Sequence, residues 1–242
     1  MFVSKETIMT HPFLIAGAFL AGVMLSTTAD ATEAKQTQIA QEQGELSPRE
    51  ALRLKLEAEL LELQRQVEAA QSQDTAAERD TLFKLLKNAE SEAGGKFVAN
   101  AIWHNWIESA PTEEVAQLVK DSMERRRWHD YQGAREILDK AIAIAPEYSE
   151  VWNQRAYIGF LQERFDQSLE DIEKAIELEP RHFAALAGKA RILIHQGRPE
   201  EAREVLNVAV DIYPLMYERV LLGQLENSGQ EPVEIKKNSE EL

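Results

Sequence analysis

One pattern is written three times in this chain at a fixed step of 34 residues, and it limits the fold more than any other feature. Pro146, Pro180 and Pro214 mark the step. Five and twelve positions before each proline stands a small residue: Ala141 and Ala134, Ala175 and Ser168, Ala209 and Ala202. Eight before it stands a branched apolar residue, Leu138, Ile172 or Leu206, and two before it Ile144, Leu178 or Ile212. The small, large, small series falls on one face of a helix at three- and four-residue steps. Two helices can then approach closely while the large side chain fills the space between them. Proline cannot continue a helix, so it closes each copy. A single helix pair cannot bury its apolar face, and the copies must therefore stack, with covers at the ends.

The segment WNQRAYIGFLQERFDQSLEDIEKAIELEP, Trp152 to Pro180, resembles a tetratricopeptide repeat, with Trp152 at the fourth position and Pro180 at the thirty-second. The flanking copies depart from it locally. The first has Leu118 for the tryptophan, Ser122 at the small eighth position, and charged Asp121 and Arg125 where apolar residues are usual. The third keeps Leu186, Ala190 and Gly197 but has Pro199 where the others have Tyr131 and Phe165. The resemblance covers residues 115–214 and implies an all-α superhelix with repeats at 115–148, 149–182 and 183–214. It implies binding of proteins or peptides without naming a partner.

In similar proteins the second, fifth, ninth and twelfth residues of each repeat face a concave groove. Carried onto this chain they are Ala116, Val119, Met123 and Arg126; Glu150, Asn153, Tyr157 and Phe160; Ala184, Ala187, Arg191 and Ile194. Met123, Arg126, Asn153, Tyr157, Phe160 and Arg191 are the expected partner-binding residues, a mixture suited to a peptide with apolar anchors and an occasional acid. The alternative role for Phe160 and Ile194 is to seal neighbouring helices. Val119 and Met123 stand where a two-carboxylate clamp would carry lysine and asparagine, so a ligand with a C-terminal carboxylate is not supported.

Ahead of the repeats, residues 13–25 form an apolar run of 13, too short to span a bilayer and suited to the core of an export signal. Ala29-Asp30-Ala31 then offers a small-x-small cleavage site before Thr32. Residues 1–31 are expected to be a signal peptide; the alternative is an uncleaved anchor or a buried helix. Lys5 is offset by Glu6, and translation starts at Met1 or Met9. Cleavage would place the chain in the periplasm of a Gram-negative bacterium with no stable membrane span. Without cysteine there is no lipid attachment after the signal, no disulfide and no thiolate chemistry. A formal net charge of −15 argues against nucleic acid as a partner.

Residues 32–46 read as a polar, flexible tether. A helix over 47–72 opens with a capping box, Ser47-Pro48-Arg49-Glu50. Leu56, Leu60, Leu63, Val67 and Ala70 then follow a coiled-coil-like seam, widened by Leu52, Leu54 and Leu61. That helix serves either self-association or packing on its own domain. Residues 75–109 are expected to form an N-terminal helical cap. In it Leu82, Leu85 and Leu86 mark one helix, Gly94-Gly95 the turn, and Phe97, Val98, Ile102, Trp103, Trp106 and Ile107 the other. Burying Trp103 and Trp106 against the first repeat is their expected role. A leucine-rich helix, then AIWHNWIES, then three repeats resembles small exported repeat proteins of alphaproteobacteria. Residues 215–225 supply a closing helix with Val220, Leu221 and Leu225 inward, and 226–242 a disordered tail.

No catalytic constellation appears. None of the five histidines stands three or four residues from another, and there is no Gly-rich phosphate loop, GxSxG or HExxH. His104 is a surface or packing residue, with no second ligand in helical reach. No metal, cofactor or catalytic residue is therefore expected. The expected function is a non-enzymatic periplasmic module that binds a peptide segment or an exported or envelope protein through the groove. The alternative is a structural homo-oligomer assembled through 47–72 with the repeats as spacers.

Overall fold

A computed structural model describes residues 46–71 and 75–227. The expected signal peptide, nearly all of the tether and nearly all of the tail lie outside the described residues. Every regular element among the described residues is a helix: α1 (Pro48–Ala70), α2 (Thr75–Asn88), α3 (Glu92–Glu108), α4 (Glu113–Arg127), α5 (Tyr131–Ile144), α6 (Ser149–Leu161), α7 (Phe165–Leu178), α8 (Phe183–His195), α9 (Pro199–Ile212) and α10 (Arg219–Asn227). The chain divides within α1, residues up to Ala58 belonging to one compact unit and Glu59 onward to another. In the first unit the capping box forms: the Ser47 amide donates to Glu50 Oε2 at 3.0 Å, and the Glu50 amide to Ser47 Oγ at 3.3 Å. Hydrogen bonds from the Ser47 side chain and backbone hold the Glu50 carboxyl below its ordinary range.

In the second unit the three repeats are the pairs α4–α5, α6–α7 and α8–α9. The small and large positions pack as their spacing requires. Ala134, Leu138, Ala141, Ser168, Ile172, Ala175, Ala202, Leu206 and Ala209 are all buried. In the middle repeat Ser168 Oγ donates to the Ala156 carbonyl at 2.7 Å. A Cβ on Gly159 would sit 3.3 Å from that of Ser168, so α6 and α7 meet at small residues. Arg155 on α6 reaches Asp139 on α5 across the repeat boundary at 2.7 Å and Asp171 on α7 within its own repeat at 2.6 Å. Lys189 on α8 reaches Glu173 on α7 at 2.5 Å.

Each repeat turns from its first helix to its second in the same way. The amides of Asp130, Arg164 and Arg198 donate to the carbonyls five residues back, of Arg125, Gly159 and Leu193, at 3.0, 2.8 and 2.8 Å. The preceding residues, His129, Glu163 and Gly197, have φ of 60, 61 and 71°. This is the Schellman arrangement, which needs a left-handed residue just past the helix end. Only the third copy places glycine there; the first two hold a side chain in a backbone region that disfavours one.

The helices ahead of the repeats depart from a simple end cap. Leu63, Val67 and Ala70 of α1, Leu82, Phe83 and Leu86 of α2, and Val98, Ile102 and Trp106 of α3 share one core. The same core contains Phe183, Leu186, Ala187, Ala209, Tyr213 and Met216 of the third repeat and the residues after it. Trp103 and Ile107 pack on the first repeat, beside Val115 and Val119. So α3 runs from the first repeat to the third, and Trp106 buries itself far from the repeat it was expected to meet. Three positions of the expected α1 seam are thereby used inside the chain.

Two local expectations are corrected. Gly94 and Gly95 are not the turn but lie in the first turn of α3, whose N-cap is Ser91. They are small because other groups press on them: a Cβ at Gly94 would fall 2.3 Å from Glu59 Oε1, and one at Gly95 2.8 Å from the Tyr213 ring. Val220 is 45% exposed, while Leu221 and Leu225 face the third repeat as expected, with Leu222 taking the place given to Val220.

The three equivalent turns supply their own test. Gly197→Ala should lower stability by roughly 1 kcal/mol, because it puts a side chain at positive φ. Glu163→Gly at the matching position should be neutral or slightly stabilising. Urea midpoints of the two variants would check this, and equal losses in both would contradict it.

Candidate peptide-binding groove

The first helices of the repeats, α4, α6 and α8, carry the twelve groove positions, and these divide into two sets. At the early positions, Val119, Glu150 and Ala187 are buried. Ala187 and the half-buried Ala184 belong to the core shared with α2 and α3. At the late positions, Met123, Arg126, Tyr157, Phe160, Arg191 and Ile194 are half-buried. The part of the groove nearest the starts of α6 and α8 is therefore occupied by the chain's own α2 and α3.

At the centre of that occupied part lies Glu150, fully buried. Its carboxylate accepts from Gln154 Nε2 at 2.6 Å, His182 Nε2 at 3.0 Å, Asn153 Nδ2 at 3.3 Å and Trp103 Nε1 at 3.3 Å. A buried carboxylate needs such donors in place of water. His182 is also fully buried and caps α8, its Nδ1 accepting from the Ala185 amide at 3.3 Å. That bond assigns the ring proton to Nε2, which points at Glu150. The His182 ring stacks on Trp106 at 4.1 Å with an interplanar angle of 16°. Tyr148 Oη donates to the Trp106 carbonyl at 2.7 Å, and burial followed by the Glu150 carboxylate drives its phenol far above the usual range.

A second polar cluster lies beside it. Arg79 Nε donates to Asn105 Oδ1 at 2.8 Å, Asn105 Nδ2 donates to Glu78 Oε2 at 2.7 Å, and Arg79 pairs with Glu179 at 3.4 Å. Arg181 pairs with Asp80 at 2.8 Å and lies over the Phe83 ring at 4.3 Å. Toward the outside, Lys87 meets Asp211 at 3.0 Å, and Arg219 meets Glu92.

The expected site residues come together only in part. Arg126 lies over the Tyr157 ring at 4.9 Å and donates to Gln154 Oε1 at 3.0 Å, which links it through Gln154 to Glu150 and Asn153. Burial pulls the Arg126 guanidinium below its ordinary range. Met123 packs with Val119 and Trp103. Phe160 instead faces Phe165 at 5.9 Å and joins the core between the second and third repeats. Arg191 is bound to Glu218 at 2.6 Å and ties α8 to the start of the closing segment. Sequence reasoning passed over His182 and Gln154, and it took Glu150 only as a groove position. No local spacing marks them, because their partners come from α3.

A family model described as tetratricopeptide repeat matches residues 162–216. A TPR repeat-containing protein of Rhizobium etli is 35% identical over 137 residues, 56% of this chain and 66% of that one. The chain is a tetratricopeptide-repeat protein. Tetratricopeptide repeat protein 36 of Xenopus tropicalis is 30% identical over 123 residues, covering 48% of this chain and 60% of its own length. Each match spans less than two thirds of the relative's length. Among solved structures, the first TPR of Spaghetti bound to an HSP90 peptide aligns with a TM-score of 0.47 at 16% identity, over 49% of this chain and 94% of that one. Among the described residues of this tetratricopeptide-repeat chain, no three His, Asp or Glu side chains gather as metal ligands, and no helix is long and apolar enough to cross a membrane.

Two tyrosines give the seat of α3 an alkaline limit. Burial, then the Glu218 and Glu92 carboxylates, push the Tyr213 phenol up to about 12. The folded value lies above the unfolded one of roughly 10. This stabilisation is complete below pH ~10 and is lost as pH rises through the folded value. Urea titrations from pH 9 to 12 should show stability falling, and Tyr213→Phe should flatten the fall.

Proposed function

We propose that this chain is a non-enzymatic interaction module of the periplasm, which binds a peptide segment of an exported or envelope protein at the open part of the groove. The observation that carries this is Arg126. Its guanidinium is sheltered on Tyr157 and bonded to the neutral amide of Gln154. The Glu150 carboxylate acts on it only from beyond that amide. A partly desolvated cation beside half-buried Met123 and Tyr157 suits an acidic side chain flanked by apolar ones. Asn153 adds a polar group at the edge, while Arg191 and Phe160 act from their bonds within the fold. The apolar run at 13–25 and the cleavage site after it support export. The oligomer alternative draws no support, because Leu63, Val67 and Ala70 of its seam are buried inside the chain.

Photocrosslinking in the exporting cell tests the proposal. Benzoylphenylalanine at Tyr157 or Met123 should yield a defined adduct in the periplasmic fraction, and the same group at exposed Glu177 on α7 should not. Adding Arg126→Gln should weaken the adduct about tenfold or more, the loss expected for one charge-assisted bond. Equal adducts at all three positions, indifference to Arg126→Gln, or retention of the chain in the cytoplasm would each overturn it.

A further inference from the structure

The seat that holds α2 and α3 adds a dense buried polar network to the apolar core it shares with the third repeat. Repeat seams are built mainly from small and aliphatic side chains, with Arg155 and Lys189 ion-paired along them and Asp171 buried beneath Arg155. The seat of α2 and α3 instead gathers Glu78, Asn105, Glu150, Gln154, Glu179 and His182, all buried. Glu150 is satisfied by neutral donors, and Glu179 by Arg79 at 3.4 Å, the Arg181 side chain at 3.5 Å and the Arg181 amide at 3.1 Å. Such networks fix register strongly and contribute little net stability, since every member regains water when the contact opens. Interfaces between separable bodies share this polar character. The outer edge is held by exposed pairs, Lys87 with Asp211 and Arg219 with Glu92.

From these features we infer that α2–α3 is an intramolecular ligand of the groove, and that a partner helix competes with it for the same seat. The inference rests on the groove being the binding surface. What α3 presents to the seat describes the competitor. It offers an indole N–H to Glu150, an indole face to His182 three residues further on, and Ile102 and Ile107 on either side. The competing partner is an amphipathic helix with two aromatic residues three apart and no acid between them, because Glu150 would repel one. Such a helix takes the early groove positions, whereas the acidic segment bound at Arg126 takes the late ones. Affinity for the early seat is reduced by whatever fraction of the time α3 fills it.

The test needs no native partner, so its failure is separate from failure of the periplasmic reading. The probe is a fluorescein-labelled peptide of residues 92–109, EAGGKFVANAIWHNWIES, titrated against the chain from residue 32 onward by anisotropy. Lys87→Glu with Arg219→Glu repels the outer edge without touching the groove. This variant should bind the peptide at least about tenfold more tightly than the unmodified chain. A control peptide with alanine for both tryptophans should not bind. Hydrogen exchange should show α3 amides opening faster in the variant while those of α6 are unchanged. Trp106→Ala, which removes the stacked ring from the seat, should raise affinity further. Equal affinity in the charge variant and the unmodified chain would overturn the inference. Loss of the whole helical signal in Trp106→Ala would do the same, because α2–α3 would then be inseparable core.

Discussion

A buried carboxylate with no lysine or arginine among its hydrogen-bond partners is the constraint around which the second unit is arranged. Glu150 is removed from water, and four side-chain donors, from Trp103, Asn153, Gln154 and His182, take the place of its hydration. Two of the donors come from its own helix, one from the start of α8 and one from α3. Remove any of these elements and a buried charge is left short of donors, which costs more than the bond itself contributed. The register of α3 against the repeats follows from this requirement. The chain also crowds aromatic rings there, with Trp106 between His182 and Phe183, and Phe183 against Tyr213 at 5.5 Å.

The repeats themselves are legible from sequence because every interaction that defines them is local or recurs at one period. The small and large series at Ala134, Leu138 and Ala141 and its later copies predicts burial, and each is buried. The left-handed turn residues stand 34 apart, yet only Gly197 announces itself by type; His129 and Glu163 reveal the same conformation only through their backbone angles. The capping box at Ser47 was equally plain, because both partners lie within one helical turn.

What lay beyond sequence reasoning depends on contacts across long stretches of chain. Gly94 and Gly95 carry the composition of a turn, but their smallness answers to Glu59 and to Tyr213, and the latter is more than a hundred residues away. Trp103 and Trp106 look equivalent on one helix, yet one reaches Glu150 and the first repeat while the other reaches the third. Arg191 reads as a free groove cation until Glu218 is placed on it. Periodicity identifies which face of a helix is apolar; it does not say which distant segment covers that face.

Two kinds of interface therefore coexist in one unit, and they divide its labour. Within the middle repeat, close packing at Ala156, Gly159 and Ser168 leaves no polar group seeking water, since Ser168 is bonded to the Ala156 carbonyl. Such seams resist opening, because any separation creates unfilled space. Between α2–α3 and the groove, much of the contact is a polar network that water could satisfy as well. Opening there would also uncover Leu82, Leu86, Val98, Ile102 and the rings packed with them, so apolar burial holds the seat closed while the polar network sets its register. The stack of repeats is thus the frame, and the network around Glu150 fixes where α2–α3 lies upon it.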